Sequence, residues 1–204
     1  MMKFGKLKWK ISWDCVRLVS IIRRLRAAAN RRSWKMRYHN ITKDDMLNGE
    51  GLRTVLWVAG CTHGCPECHN PITWDIKGGI PFDEAAREEL FGELEKDYIS
   101  GVTLSGGDPL HPDNRQEIGE LIGEIRCRFP KKTIWLYTGY LWEEICGLPH
   151  MPEVDVVVDG EFVVKLKDNS LHWKGSANQR VIDVKRSLAA GEAVLYEEGL
   201  SAGR

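Results

Sequence analysis

The chain has 204 residues, of which 43% are hydrophobic and 28% are charged, a balance close to that of folded globular proteins. This composition excludes a collagen, a coiled coil and a wholly disordered chain, and the length favours one domain over two large ones. The formal net charge of +0 conceals an asymmetry, because residues 1–37 hold twelve Lys or Arg and one acidic residue, which leaves the remainder at net −11.

The basic segment 1–37 is predicted to be an N-terminal extension outside the fold, and Met36 is a candidate natural start. Its most apolar part, residues 11–22, is interrupted by Asp14 and Arg17. Because no run of about 18 apolar residues exists, no membrane span is predicted. A basic amphipathic helix on an anionic membrane or a nucleic acid is the alternative interpretation, although no clear nucleic-acid-binding motif accompanies it.

Beyond residue 37, short apolar runs alternate with longer amphipathic stretches. The runs at residues 54–59, 101–104, 133–137 and 154–158 are predicted to be buried strands. Helical spacing of apolar residues predicts helices over residues 82 to about 96 and 114 to about 129, and a shorter helix over 141–146. Pro130 is predicted to end the second helix.

This alternation predicts an α/β fold with a parallel sheet, in which function lies at the carboxyl ends of the strands. Four strands are too few to close an eight-stranded barrel, so we expect an open, partial (β/α) barrel. The folded domain is predicted to span residues 38–186, and residues 187–204 are predicted to form a loosely held C-terminal tail.

Three of the six cysteines lie within eight residues, in the order Cys61, Cys65 and Cys68. The cysteines are clustered and no secretory leader is present, so reduced thiols that bind a metal or a cluster in the cytoplasm are favoured over disulfides. Three thiolates at this spacing can hold three irons of a [4Fe–4S] cluster and leave the fourth open for a substrate, whereas simple electron carriers supply four cysteines. A structural zinc site with His63 or His69 as the fourth ligand is the alternative.

A second motif, residues 105–110, follows the next predicted strand. Gly106 and Gly107 allow a ligand to approach the backbone closely, and the carboxylate of Asp108 can accept hydrogen bonds from an ammonium group. A Gly-Gly-Asp turn alone is a weak signal.

These two motifs belong to a set of six segments with distinctive residues. The segments span residues 48–53, 60–70, 105–112, 135–140, 158–162 and 171–179. Together they resemble the radical S-adenosylmethionine superfamily and, within it, the glycyl-radical activating enzymes of anaerobic ribonucleoside-triphosphate reductase. The resemblance extends from about residue 37 to about residue 183.

The resemblance implies that Cys61, Cys65 and Cys68 bind the [4Fe–4S] cluster. It implies that S-adenosylmethionine lies against Glu67, Cys68 and His69 and against Gly106 and Gly107, with Asp108 near its amino group. Many relatives carry Tyr or Phe at the position of His69.

The resemblance also implies an activity. Reductive cleavage of S-adenosylmethionine would give a 5′-deoxyadenosyl radical, which abstracts a glycine hydrogen from the large subunit of the reductase. A flavodoxin-like or ferredoxin-like protein would donate the electron, and an anaerobic cytoplasm is the expected location. Two alternatives stay open: activation of another glycyl-radical enzyme, of the formate-lyase or decarboxylase type, and a zinc-stabilised interaction module.

Overall fold

A computed structural model describes residues 35–198 of the chain. Most of the predicted basic extension therefore lies outside the described residues. Its last residues belong to the fold, since Met36 is buried and Arg37 begins the first strand. The described elements are β1 (Arg37–Asp45), β2 (Arg53–Val58), β3 (Ile80–Pro81), α1 (Glu84–Leu94), β4 (Gly101–Gly106), α2 (Arg115–Arg128), β5 (Thr133–Tyr137), α3 (Trp142–Ile145), β6 (Val156–Asp159), β7 (Arg180–Asp183) and α4 (Val184–Ala190).

The strands form one open sheet in the order β3-β1-β2-β4-β5-β6-β7. Strands β2, β4, β5 and β6 are parallel, and they correspond to the four strands predicted from the sequence. Strands β1, β3 and β7 are antiparallel to their neighbours, and β3 and β7 are the edges of the sheet. The architecture is therefore α/β, as predicted, but the sheet is mixed rather than purely parallel.

The predicted helices are present because each has a clear start or stop signal. The side chain of Asp83 accepts a hydrogen bond of 3.1 Å from the amide of Ala86 at the start of α1. Helix α2 ends at Arg128, two residues before Pro130. Both helices bury their apolar faces against one side of the sheet in a single large core.

The opposite side of the sheet carries a smaller aromatic cluster. Trp135, Val156 and Val158 form its buried centre, and Trp173 and Tyr196 pack against it. Tyr196 lies within the segment predicted to be a tail, and its ring centroid is 5.3 Å from that of Trp135.

Helix α4 crosses residue 186, where the sequence analysis placed the end of the folded domain. Asp183 caps its first turn by accepting a hydrogen bond from the amide of Arg186. Gly191 ends the helix in the left-handed conformation, with φ of 77°.

The four parallel strands end at one edge of the sheet. Val58 is in register with Gly106, and Tyr137 is in register with Val158. The loops that follow these strands are therefore neighbours, which brings residues 60–68, 106–108, 138–140 and 159–162 together.

None of the helices within residues 35–198 has the length and hydrophobicity of a membrane-spanning segment.

Candidate functional site

The three clustered cysteines lie on a loop that follows β2. The loop is closed at its base by two backbone hydrogen bonds, from Gly60 N to Thr73 O at 2.8 Å and from Cys61 N to Trp74 O at 3.0 Å. A turn within the loop pairs Cys68 N with Cys65 O at 3.2 Å. All three thiols are free and half-buried, and all three line one cleft of about 510 Å³.

The three thiols of this loop are candidate metal ligands. Among the described residues, no group of three or more His, Cys, Asp or Glu side chains is placed to hold one metal ion, whereas a single tetrahedral zinc ion requires such a group. In a [4Fe–4S] cluster each thiolate binds a different iron, so three thiols that line one cleft are a usable donor set.

Burial affects the protonation of two of these thiols, those of Cys61 and Cys65, in the metal-free protein. It raises the pKa of Cys61, and the nearby charge of Asp108 adds to this effect, while backbone amides oppose it. Burial likewise raises the pKa of Cys65. Iron binding must therefore displace thiol protons, because only thiolates bind iron.

His63, between the first two cysteines, connects the loop to two strand ends. Its Nε2 lies 2.7 Å from Oδ2 of Asp108, and its Nδ1 lies 3.0 Å from Oε1 of Glu161. The imidazole is 10% exposed and packs edge-on against Tyr140, with ring centroids 4.7 Å apart. The hydrogen bond to Asp108 raises the pKa of His63, although burial opposes this. Since both ring nitrogens are engaged by carboxylates, His63 is not placed as a metal ligand.

Asp108 lies beneath His63 and not on the cleft wall. Its side chain is 1% exposed. Besides His63, it accepts hydrogen bonds from the amides of Leu110 (2.8 Å) and Gly139 (3.1 Å) and from the hydroxyl of Thr138 (2.9 and 3.0 Å).

The two glycines before Asp108 have a clear steric reason. A Cβ at Gly106, where φ is +108°, would lie 2.5 Å from the backbone of Val58. A Cβ at Gly107 would lie 2.4 Å from the carbonyl oxygen of Gly60. The glycines thus let the end of β4 approach the start of the cysteine loop, and both also line the cleft.

The structure brings together most of the residues proposed to line a ligand site. Cys68, His69, Gly106 and Gly107 line the cleft with Cys61 and Cys65. The ring of His69 lies 5.1 Å from that of Phe162. Glu67 is exposed and has a left-handed φ of 56°; neither it nor Asp108 lines the cleft.

Sequence reasoning missed other residues of the cleft wall. Trp57 and Tyr137 line it from the ends of β2 and β5, and Trp173 lines it from the segment before β7. Trp57 is half-buried at the cleft. Strand alternation does not reveal this position, because Val55, on the same side of β2, is fully buried.

Comparison with known proteins adds to this geometry. A family model described as a 4Fe-4S single cluster domain matches residues 47–182. An anaerobic ribonucleoside-triphosphate reductase-activating protein of Enterobacteria phage T4 is 46% identical over 146 residues, covering 72% of this chain and 93% of the relative. The chain belongs to the family of anaerobic ribonucleoside-triphosphate reductase-activating proteins.

Other activating proteins of this family are similar to this chain over nearly the same length. The one from Escherichia coli K12 is 45% identical over 151 residues, which covers 72% of this chain and 97% of the relative. The one from Haemophilus influenzae is 39% identical over 148 residues, covering 71% and 96%. The 4Fe-4S domain includes the whole cysteine loop and cleft, so the match favours an iron–sulfur site over the zinc alternative.

Proposed function

We propose that this protein activates anaerobic ribonucleoside-triphosphate reductase by generating a glycyl radical on its large subunit. The observation that carries this proposal is the placement of three free cysteines on one loop, lining one cleft, in a chain 46% identical to an activating protein named for that reductase. The open mixed sheet would then be a partial barrel of the radical S-adenosylmethionine type.

Cys61, Cys65 and Cys68 are the proposed ligands of three irons. Cys146, the other free cysteine of the described residues, does not line the cleft, so one iron would lack a protein ligand. A [4Fe–4S] cluster held by Cys61, Cys65 and Cys68 would supply the electron for reductive cleavage of S-adenosylmethionine to methionine and a 5′-deoxyadenosyl radical.

The chain's own residues would place the substrate and exclude water. Gly106 and Gly107 expose backbone on the cleft wall, next to the start of the cysteine loop. Cys68 and His69 would lie against the nucleotide on the other side, and Glu67, on the same turn, is proposed to support this segment. Aromatic side chains at Trp57 and Trp173 give the cleft an apolar wall that protects a radical from solvent.

Activation of the reductase would consume one electron and transfer one hydrogen atom. A flavodoxin-like or ferredoxin-like protein is the proposed electron donor. The 5′-deoxyadenosyl radical would take the Cα hydrogen of one glycine of the reductase, which would yield 5′-deoxyadenosine and a glycyl radical. Oxygen would destroy both cluster and radical, so we propose that the protein acts in an anaerobic cytoplasm.

A second candidate is activation of another glycyl-radical enzyme, such as a formate-lyase or a decarboxylase. The printed names of the relatives favour the reductase. One experiment distinguishes the two. Anaerobically reconstituted protein is reduced with dithionite, mixed with S-adenosylmethionine and either the reductase or a formate-lyase, and analysed by electron paramagnetic resonance.

We expect about four irons and four sulfides per chain, methionine release, and an organic radical on the reductase alone. A Cys65→Ser variant treated identically is the matched control and should give no radical. A radical only on the formate-lyase, or one equivalent of zinc with no iron, would refute the proposal.

A further inference from the structure

The Asp108 carboxylate has no room for another hydrogen-bond donor. A carboxylate offers about four acceptor sites. Asp108 fills them with the imidazole of His63, the hydroxyl of Thr138 and two backbone amides. Of these donors, only His63 belongs to the cysteine loop.

His63 also lies between Asp108 and the cleft. The cleft is lined by His63 and Glu161 but not by Asp108, whose side chain is 1% exposed. A ligand in the cleft therefore meets the imidazole before it could meet the Asp108 carboxylate.

We infer that His63 is a positioning residue that holds the cysteine loop against the ends of β4 and β6. The Asp108 carboxylate accepts a hydrogen bond that keeps His63 in place, and it does not bind the amino group of the ligand. The inference rests on the proposed function for the identity of that ligand, S-adenosylmethionine. It concerns this chain's own residues, since the two hydrogen bonds exist without any bound group.

The other carboxylate that contacts His63, that of Glu161, can still accept hydrogen bonds from a ligand. The side chain of Glu161 is 56% exposed and lines the cleft. Within residues 35–198, its carboxylate is hydrogen-bonded to His63 alone. Glu161 is thus the carboxylate placed to receive the ammonium group of a ligand in the cleft.

A double-mutant cycle tests the inference. The variants are His63→Phe, which keeps a ring against Tyr140 but removes both hydrogen bonds, Asp108→Asn, and the double variant. Affinity for S-adenosylmethionine is measured by equilibrium dialysis on the reconstituted, oxidised protein, in which the nucleotide binds without being cleaved.

We expect each single variant to bind about 10-fold more weakly, which corresponds to about 1.4 kcal/mol, and the double variant to fall within about twofold of His63→Phe. His63→Gln, which retains a donor toward Asp108, should recover part of the affinity. Glu161→Gln should weaken binding by a similar factor. His172→Gln, at an exposed site, is the control and should bind normally.

Two results would overturn the inference. One is an Asp108→Asn effect as large in the His63→Phe background as in the unmodified protein, because Asp108 would then act on the ligand directly. The other is normal affinity and a normal nucleotide-induced change in the electron paramagnetic resonance spectrum for His63→Phe.

The same cycle in the metal-free protein keeps the inference testable if a variant fails to take up iron. There the melting temperature of the double variant should match that of the lower single variant, and additive losses would count against the inference. If the unmodified protein itself binds no S-adenosylmethionine, the proposed function fails, while the metal-free cycle still reports on the coupling of His63 to Asp108.

Discussion

The imidazole of His63 lies directly over Gly139, so that a Cβ built on Gly139 would be 2.5 Å from Cδ2 of the ring. No side chain fits there without moving the histidine. We predict that Gly139→Ala displaces His63 and destabilises the metal-free protein by about 1–3 kcal/mol, as overpacking does elsewhere. Reconstituted Gly139→Ala should hold less iron per chain than the unmodified protein, measured by colorimetric iron assay.

A matched glycine is available as the control. Gly123 lies on α2, and a Cβ there would have no neighbour within 4 Å. Gly123→Ala should therefore raise stability by about 0.5–1 kcal/mol, because alanine is the better helix former. Full iron content and unchanged stability in Gly139→Ala would show that the loop does not depend on the position of His63.

The cysteines give a second prediction, on iron retention. Cys65→Ser should retain less than about a tenth of the iron of the unmodified protein after desalting, because a serine hydroxyl is a poor iron ligand beside thiolate. Cys146→Ser removes a free, half-buried thiol outside the cleft and should retain all of it. Equal iron loss in the two variants would place the cluster elsewhere.

The central sheet could be predicted because its strands are short apolar runs buried on both faces. Strand β5, at Thr133–Tyr137, matches the predicted range at both ends. Strand β1 was missed because its sequence is largely polar and only Tyr38 and Ile41 of its residues are buried. Periodicity cannot detect a strand with so few buried positions.

The candidate site was predictable only in its local parts. The cysteine spacing alone predicts the proposed cluster ligands, because all three residues lie on one loop. Asp108 was expected near a ligand amino group, and no pattern along the chain could reveal that His63, 45 residues away, occupies its carboxylate. Glu161, 98 residues from His63, was missed for the same reason. Such pairings depend on the sheet register, which the sequence does not display.

A pH dependence follows from Asp155, which joins β5, α2 and α4. Burial alone would raise the pKa of its carboxyl, but hydrogen bonds from Lys185, Arg126 and the amide of Ile134 outweigh burial and hold the pKa below its ordinary value of 3.8. Those bonds measure 2.9, 2.6 and 2.8 Å. A depressed carboxyl pKa contributes stability that is complete above the unfolded value and is lost as pH falls through the folded value.

We therefore predict that Asp155→Asn lowers the free energy of unfolding by about 2–4 kcal/mol at pH 7. The difference from the unmodified protein should shrink below about pH 3.8, where the carboxyl of the unfolded chain takes up a proton while that of the native protein is still ionised. Urea titrations of the metal-free protein between about pH 2.5 and 7 measure this. A difference that stays constant down to the lowest pH would contradict the assignment.

The last prediction concerns the hydroxyl of Tyr137, which is buried and has no hydrogen-bond partner among residues 35–198. Burial raises the pKa of Tyr137, so the hydroxyl keeps its proton and remains an unsatisfied donor. A buried polar group without a partner costs about 1–3 kcal/mol. Tyr137→Phe removes that cost while keeping the ring in the cleft wall, so the free energy of unfolding of the metal-free protein should rise by about 1 kcal/mol.

Tyr98, which is 58% exposed, supplies the matched Tyr→Phe control. Its substitution should change stability by less than about 0.5 kcal/mol, as surface changes usually do. Urea unfolding of both variants measures the contrast. A loss of stability in Tyr137→Phe would mean that the hydroxyl is already paired in the folded protein, since only a satisfied donor makes a net favourable contribution to folding.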